Sequence, residues 1–337
     1  MSQMKAVQVA KAGGAFEVVD RPIPTPGAGE IRIRVEACGM CHSDVFVKSG
    51  QFPGLALPRV PGHEIAGRID AVGPGVDRRW QSGQRVGVGW YGGHCTACDP
   101  CRRGDFMACE NGKITGITFD GGYAEYCVVP VQAVARIPDA LSAAEAGPLL
   151  CAGITTYNAL RNSGARPGDT VGVQGIGGLG HLALQYARQM GFRTVAISRG
   201  TDKEPLAREL GAHDYVDTAK TTAAEGLQQL GGAHLVLATA PHGDAIAGVV
   251  DGLRPRGKLL LVAAAVEPIP VSAFSLLSGK AVAGWPSGTS IDSEETMAFS
   301  ARTGVRPRIE RFQFAQAEQA FAKMMANKVR FRAVLEP

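Results

Sequence analysis

The chain has 337 residues, 45% hydrophobic and 20% charged, with 44 glycines, eight cysteines and a formal charge of +4. This composition is that of a globular protein long enough for two cores, and it excludes a disordered or collagen-like chain. Lys and Arg are scattered without a basic run, which argues against a nucleic-acid partner, and the longest apolar run, 259–266, is far too short to cross a bilayer.

Residues 4–9 and 31–37 alternate in strand fashion with β-branched residues prominent. Between them, Pro22-Ile23-Pro24-Thr25-Pro26-Gly27 reads as a rigid extended connector. Residues 65–72 and 84–88 continue the strand pattern, so 1–148 predicts a compact, barrel-like β domain with few short helices. Within it, Cys41-His42-Ser43-Asp44 supplies a thiol, a hydroxyl and a carboxylate, followed by Gly62-His63-Glu64. Together with Cys151, Cys41 and His63 make a Cys₂His set, the open zinc arrangement whose fourth position is left to water or substrate. Cys38 and Cys41 are formally a Cys-x-x-Cys pair, but no βαβ unit surrounds them; Cys38 reads as a small buried residue and Cys41 alone as a ligand.

Cys95, Cys98, Cys101 and Cys109 follow in a glycine-rich lobe, 89–112. Four thiolates at such spacing close a tetrahedron around one zinc. An iron–sulfur cluster is the rival, but ferredoxin-type runs place Pro after the last Cys, and here Glu110 stands there. Disulfides fit poorly, because residues 1–16 carry no export signal; a soluble, cytoplasmic protein is expected.

Near 149 the texture changes. Residues 149–162 predict a helix with Cys151 near its start. Strands are then expected at 170–173, 193–198, 214–216, 233–238 and 258–263, alternating with helices at 181–190, 203–210, 222–230 and 245–253. This is the rhythm of a doubly wound parallel sheet, a Rossmann domain over 149–284. From 285 the rhythm stops. Helices at 293–303 and 315–326 and a strand at 331–335 are expected to return to the first domain, making the catalytic domain 1–148 plus 285–337.

Gly175-Ile176-Gly177-Gly178-Leu179-Gly180 follows a strand and opens a helix, the context in which this glycine pattern binds a dinucleotide pyrophosphate. The next strand ends in Ser198 and Arg199, with Lys203 beyond, where an NAD site normally places a carboxylate. A hydroxyl followed by a guanidinium suits a 2′-phosphate, so NADP(H) is expected over NAD(H).

In these motifs, taken in order with Cys151-Ala152-Gly153-Ile154-Thr155, the chain resembles the zinc-dependent medium-chain alcohol dehydrogenases over nearly its whole length. The resemblance implies a GroES-like catalytic domain with an inserted Rossmann domain and two zinc ions per chain. The catalytic ion would be held by Cys41, His63 and Cys151, with Glu64 able to approach it, and the structural ion by the four-cysteine lobe. Asp44 would orient His63, Ser43 would take the alcohol proton, and His42, Thr155 and Arg332 would lie along the cofactor. Many family members end a proton relay on a histidine where this chain has Phe46, so weaker general-base assistance is expected. Phe46, Phe52, Trp90, Phe119 and Trp285 are candidate pocket walls, suited to a primary alcohol or aldehyde with an apolar or aromatic tail. A small-molecule substrate, no membrane and a homo-oligomer (tetramer or dimer) complete the expectation. The competing readings are an NAD-dependent alcohol or polyol dehydrogenase and, in another class, a non-catalytic zinc-binding interaction protein.

Overall fold

The computed structural model describes residues 2–263 and 267–337; Met1 and the end of the apolar run 259–266 lie outside the described residues. The chain forms two compact units, Met1–Ile154 with Gly288–Pro337, and Thr155–Ser287. Cys151 therefore belongs to the first unit and Trp285 to the second, whereas the change in sequence texture at 149 and 285 grouped each with the other.

In the first unit a seven-stranded sheet runs in the spatial order Ile309–Gln313, Arg332–Glu336, Glu30–Met40, Glu64–Val72, Arg85–Val88 and Val134–Arg136, with Tyr126–Pro130 also pairing to Glu30–Met40. Gln3–Val9 and Phe16–Pro22 form a separate antiparallel ribbon, so the expected connector begins as a strand. Glu30–Met40 first alternates, burying Ile31, Ile33 and Val35, and then becomes continuously buried from Ala37 to Met40. Alternation marks a half-exposed strand and its loss marks a strand entering the interior. This strand delivers Cys41 to the centre of the unit. Two partners hold its end: Gly39 pairs with Glu64 and, on the other side, Val334 pairs with Gly39. Residues some 290 apart in sequence thus meet at one point.

The second unit is a six-stranded parallel sheet in the spatial order Asp214–Asp217, Arg193–Ser198, Thr170–Gln174, Ala233–Ala238, Leu253–Leu261 and Ala281–Gly284. Numbered along the chain this is 3-2-1-4-5-6, the doubly wound order, with its reversal between Thr170–Gln174 and Ala233–Ala238. Thr170–Gln174 is buried at every position, as a strand covered on both faces must be.

Two expectations need correction here. The helix expected over 245–253 is only Gly243–Ala247, followed by the 3₁₀ turn Val250–Gly252. The strand expected from 258 already starts at Leu253, crossing Pro255-Arg256-Gly257 by an irregularity in register, with Arg256 at φ 63°. The chain bulges at this point and resumes pairing at Lys258. Among the described residues no helix is long and apolar enough to cross a membrane.

Candidate active site and metal centres

Beyond Met40 the chain turns, and helix Asp44–Ser49 begins. Asp44 reaches back: its Oδ2 accepts the Cys41 N–H at 2.9 Å and the Tyr123 hydroxyl at 2.7 Å, and its Oδ1 faces His63 Nδ1 at 3.6 Å. His63 follows Gly62, whose φ of +97° swings the chain inward. Cys151 lies in a π-helical turn, Leu149–Gly153, that leads into helix Ile154–Arg161. Such turns recur at functional sites.

The two sulfurs are 3.8 Å apart, and the Ser43 hydroxyl donates to Cys41 Sγ at 3.2 Å. Ligand atoms of Cys41, His63, Glu64 and Cys151 all lie within 4.8 Å of one another. His63 Nε2 and Glu64 Oε2 are buried and, among the described residues, have no hydrogen-bond partner. Buried polar atoms are rarely left so without cause. A hydrogen bond from Cys151 holds the Cys41 thiol well below its usual range, aided by His63 and Arg332 against the effect of burial. Cys151 is pushed the other way by the same bond and by burial. Burial opposes a charge on His63, but Asp44 and Cys41 outweigh it and raise the imidazole to about 9. The cluster therefore attracts positive charge, and its mixed sulfur and nitrogen donors match zinc better than a hard cation.

Around this cluster, Arg332 forms a buried ion pair with Glu64 Oε1, with the arginine 5% and the glutamate 0% exposed. Trp90 stands edge-on to the His63 ring at 5.0 Å, Phe52 to Trp90 at 6.3 Å and Phe46 to Phe52 at 5.9 Å. Three of the aromatic residues singled out in the sequence thus form one run ending on His63. Phe119 is not in that run: with Glu30, Lys113 and Pro130 it lines a separate cavity of 130 Å³. His42 is exposed.

In the lobe, ligand atoms of Cys95, Cys98, Cys101 and Cys109 also lie within 4.8 Å of one another. All eight cysteines are free thiols. Backbone N–H groups point at the sulfurs, Cys95 N to Cys109 Sγ at 3.3 Å and Cys98 N to Cys95 Sγ at 3.4 Å. Such bonds, from Ala97 and Cys98, lower Cys95 to about 6, while burial and the neighbouring sulfurs push Cys101 up to about 12. Four sulfurs converging in this way fit a closed tetrahedral site for one soft cation.

In the second unit the glycine loop leaves Thr170–Gln174 at the reversal of strand order. Gly175 sits at φ +93°, and a Cβ on Gly180 would lie 1.9 Å from the Gly175 carbonyl oxygen. Gly177 is different: a Cβ there would meet nothing within 4 Å. Turn, open approach and helix packing are the three separate reasons this motif uses glycine. Helix Gly180–Gln189 starts directly after this loop. Lys203 Nζ donates to the Ile176 carbonyl at 3.3 Å, which brings its charge to the loop. Ser198 ends its strand and Arg199 is exposed. Thr155 Oγ1 donates to Ser287 Oγ at 3.1 Å.

Residues 27–139 match the alcohol dehydrogenase GroES-like domain and residues 178–302 the zinc-binding dehydrogenase domain. The alcohol dehydrogenase patD of Penicillium expansum is 44% identical over 335 residues, 99% of this chain and 98% of that protein. The chain belongs to the zinc-dependent medium-chain alcohol dehydrogenases. Among solved dehydrogenases, a cinnamyl alcohol dehydrogenase of Sorghum bicolor superposes with a TM-score of 0.89 at 30% identity, covering 99% of this chain and 98% of that one. The CAD of Helicobacter pylori complexed with NADP(H) does so at 0.87 and 28%, covering 99% and 98%.

Two tyrosines of this dehydrogenase escape sequence reasoning. Tyr123 is wholly buried beside Asp44, and nothing local distinguishes it from an ordinary core aromatic. Tyr215 donates to the Gly200 carbonyl at 2.7 Å, next to Ser198, because Asp214–Asp217 pairs in parallel with Arg193–Ser198. Asp217, opposite Ser198 in that register, accepts the Gly200 N–H at 2.7 Å and fixes the turn. Only the strand pairing brings these groups together.

Proposed function

We propose that the protein transfers hydride between NADP(H) and a primary alcohol or aldehyde with an apolar or aromatic tail, using one catalytic and one structural zinc. The observation that carries the catalytic reading is the convergence of Cys41, His63, Glu64 and Cys151 within 4.8 Å, with His63 Nε2 buried and unpartnered among the described residues. Cys41, His63 and Cys151 would hold the catalytic ion, and Cys95, Cys98, Cys101 and Cys109 the structural one. Zinc in the open site would supply a Lewis acid for the substrate oxygen, and the nicotinamide would accept the hydride in alcohol oxidation or give it up in aldehyde reduction.

The chain's own contribution is placement. Asp44 fixes His63. The Ser43 hydroxyl, next to Cys41, would relay a proton from the substrate alcohol, a role that its position beside a proposed ligand supports. Phe46 offers no onward acceptor, so this side chain would take no part in passing the proton on. The rings of Trp90, Phe52 and Phe46 give an apolar wall beside His63, which supports an apolar or aromatic tail over a polyol. Gly177 leaves room for the pyrophosphate, and Ser198, Arg199 and Lys203 favour a 2′-phosphate. Solved neighbours include one complexed with NADP(H) and one described as NAD-dependent, so the preference rests on these local residues. A dimer or tetramer is part of the proposal, supported by Phe274 and Leu277, which are 82% and 79% exposed.

The test combines metal analysis, size-exclusion chromatography and kcat/KM for NADPH and NADH with benzaldehyde, hexanal and a polyol. Two zinc ions per chain and NADPH-driven aldehyde reduction are expected. A clear preference for NADH refutes the cofactor assignment. One zinc and no turnover support a non-catalytic zinc protein instead.

A further inference from the structure

We propose that the Tyr123 hydroxyl is a positioning group for the metal ligands, holding the Asp44 carboxylate so that one of its oxygens is presented to His63 Nδ1. The inference rests on Cys41, His63 and Cys151 being the catalytic metal ligands. Asp44 Oδ2 accepts both the Cys41 N–H at 2.9 Å and the Tyr123 O–H at 2.7 Å, while Oδ1 faces His63 Nδ1 at 3.6 Å. One carboxylate thus touches two of the three ligand residues, Cys41 through its main chain and His63 through its ring. With a single donor a carboxylate can rotate about its terminal bond; two donors on one oxygen fix which oxygen is left for the imidazole. Tyr123 supplies the second donor.

The tyrosine is itself held in place. Its N–H donates to the Pro61 carbonyl at 3.1 Å, and its carbonyl accepts from Val7 N–H at 2.7 Å. Its ring packs edge-on against Phe16 at 6.2 Å and lies so close beneath Gly62 that a Cβ there would be 2.5 Å from Tyr123 Cδ1. The Gly62 turn, which aims His63, is therefore shaped around this ring. Tyr123, Asp44 and His63 are 0%, 2% and 2% exposed, so water is not at hand to replace the phenol.

Tyr123→Phe removes one oxygen and keeps the ring. Metal affinity of the catalytic site is to be measured on the holoenzyme by competition with a chromogenic chelator, for the unaltered protein, Tyr123→Phe, Asp44→Asn and the double variant. The cobalt-substituted forms are compared by absorption spectroscopy. Partners of metal ligands are typically worth about 10–100-fold in affinity, and a group one bond further out belongs at the lower end. Tyr123→Phe is expected to weaken the catalytic metal about tenfold and shift the cobalt bands. The lobe metal should stay unchanged, whereas the metal-free protein should melt lower, because the buried Asp44 carboxylate loses a charge-assisted hydrogen bond. Because Tyr123 acts through Asp44, the double variant should bind no more weakly than Asp44→Asn. If Asp44→Asn weakens the metal and Tyr123→Phe stays within twofold of the unaltered protein, or if the two effects simply add, the inference fails while the metal assignment stands. If neither variant changes a second bound metal, the assignment fails and takes the inference with it.

Discussion

Replacing Gly177 and Gly180 separately by alanine divides cofactor binding from folding. At Gly180 the new Cβ would lie 1.9 Å from the Gly175 oxygen and 2.9 Å from its carbon, both main-chain atoms. Carbon and oxygen normally approach to about 3.3 Å. The overlap exceeds 1 Å roughly, with no flexible side chain to yield, and overpacking of this kind costs about 1–3 kcal/mol or more. The second unit should melt roughly 5–15 °C lower. At Gly177 nothing lies within 4 Å and φ is outside the left-handed region, so the folded unit accepts the methyl group. Alanine there restricts the unfolded chain and should stabilise by about 0.4–1 kcal/mol. The methyl nevertheless enters the space assigned to the pyrophosphate. Displacing one charge-assisted hydrogen bond costs about 1.5–3 kcal/mol, or roughly a 10–150-fold weaker Kd. Thermal melts by circular dichroism and dinucleotide titration by fluorescence read the two effects apart. A Gly177→Ala protein that binds NADPH as tightly as the unaltered one would refute the placement of the pyrophosphate.

Three further outcomes are expected. Lys48 pairs with Glu318 at 2.7 Å and lies over the Phe16 ring at 4.6 Å. Burial pushes Glu318 up, but hydrogen bonds from Lys48 and the Phe16 N–H hold it below the usual carboxylate value. That stability is present above about pH 4.3 and is lost as pH falls through the lowered value. Glu318 is 49% exposed, so solvent screening limits the pair to about 1 kcal/mol; Lys48→Met should flatten the acid limb of the melting profile, and an unaltered limb counts against the pair. Cys98→Ser should cost one metal equivalent per chain and lower the melting point of the first unit, with dinucleotide affinity unchanged; full metal retention contradicts a closed four-cysteine site. Phe46→His should add an ionisation near pH 6.5 to the kcat profile, and an identical profile means that the missing histidine is irrelevant to proton release.

Periodicity and punctuation made much of the second unit readable, because strands such as Thr170–Gln174 and Ala233–Ala238 are short, largely apolar and followed by Gly or a helix start. The three-glycine loop was legible because the strand before it and the helix after it adjoin it in sequence. The four cysteines of the lobe fall within only fifteen residues and could hardly be missed. The strand Ile309–Gln313 was not read, since it is stabilised by pairing with Arg332–Glu336 rather than by its own pattern. Ala281–Gly284 is likewise a strand only by its pairing with Leu253–Leu261. Phe119 lines a cavity with Glu30, Lys113 and Pro130, a placement that residue type alone does not give. Tyr123 shows the converse, a residue of no local distinction that touches the carboxylate behind a ligand.

The central claim is that residues 41, 63 and 151 share one ion. Diffraction data collected on both sides of the zinc absorption edge from the purified holoenzyme would test it most directly. The account predicts an anomalous peak about 2.3 Å from the sulfurs of Cys41 and Cys151 and about 2.0–2.1 Å from His63 Nε2. A map with a peak at the four-cysteine lobe and none at this position would contradict it.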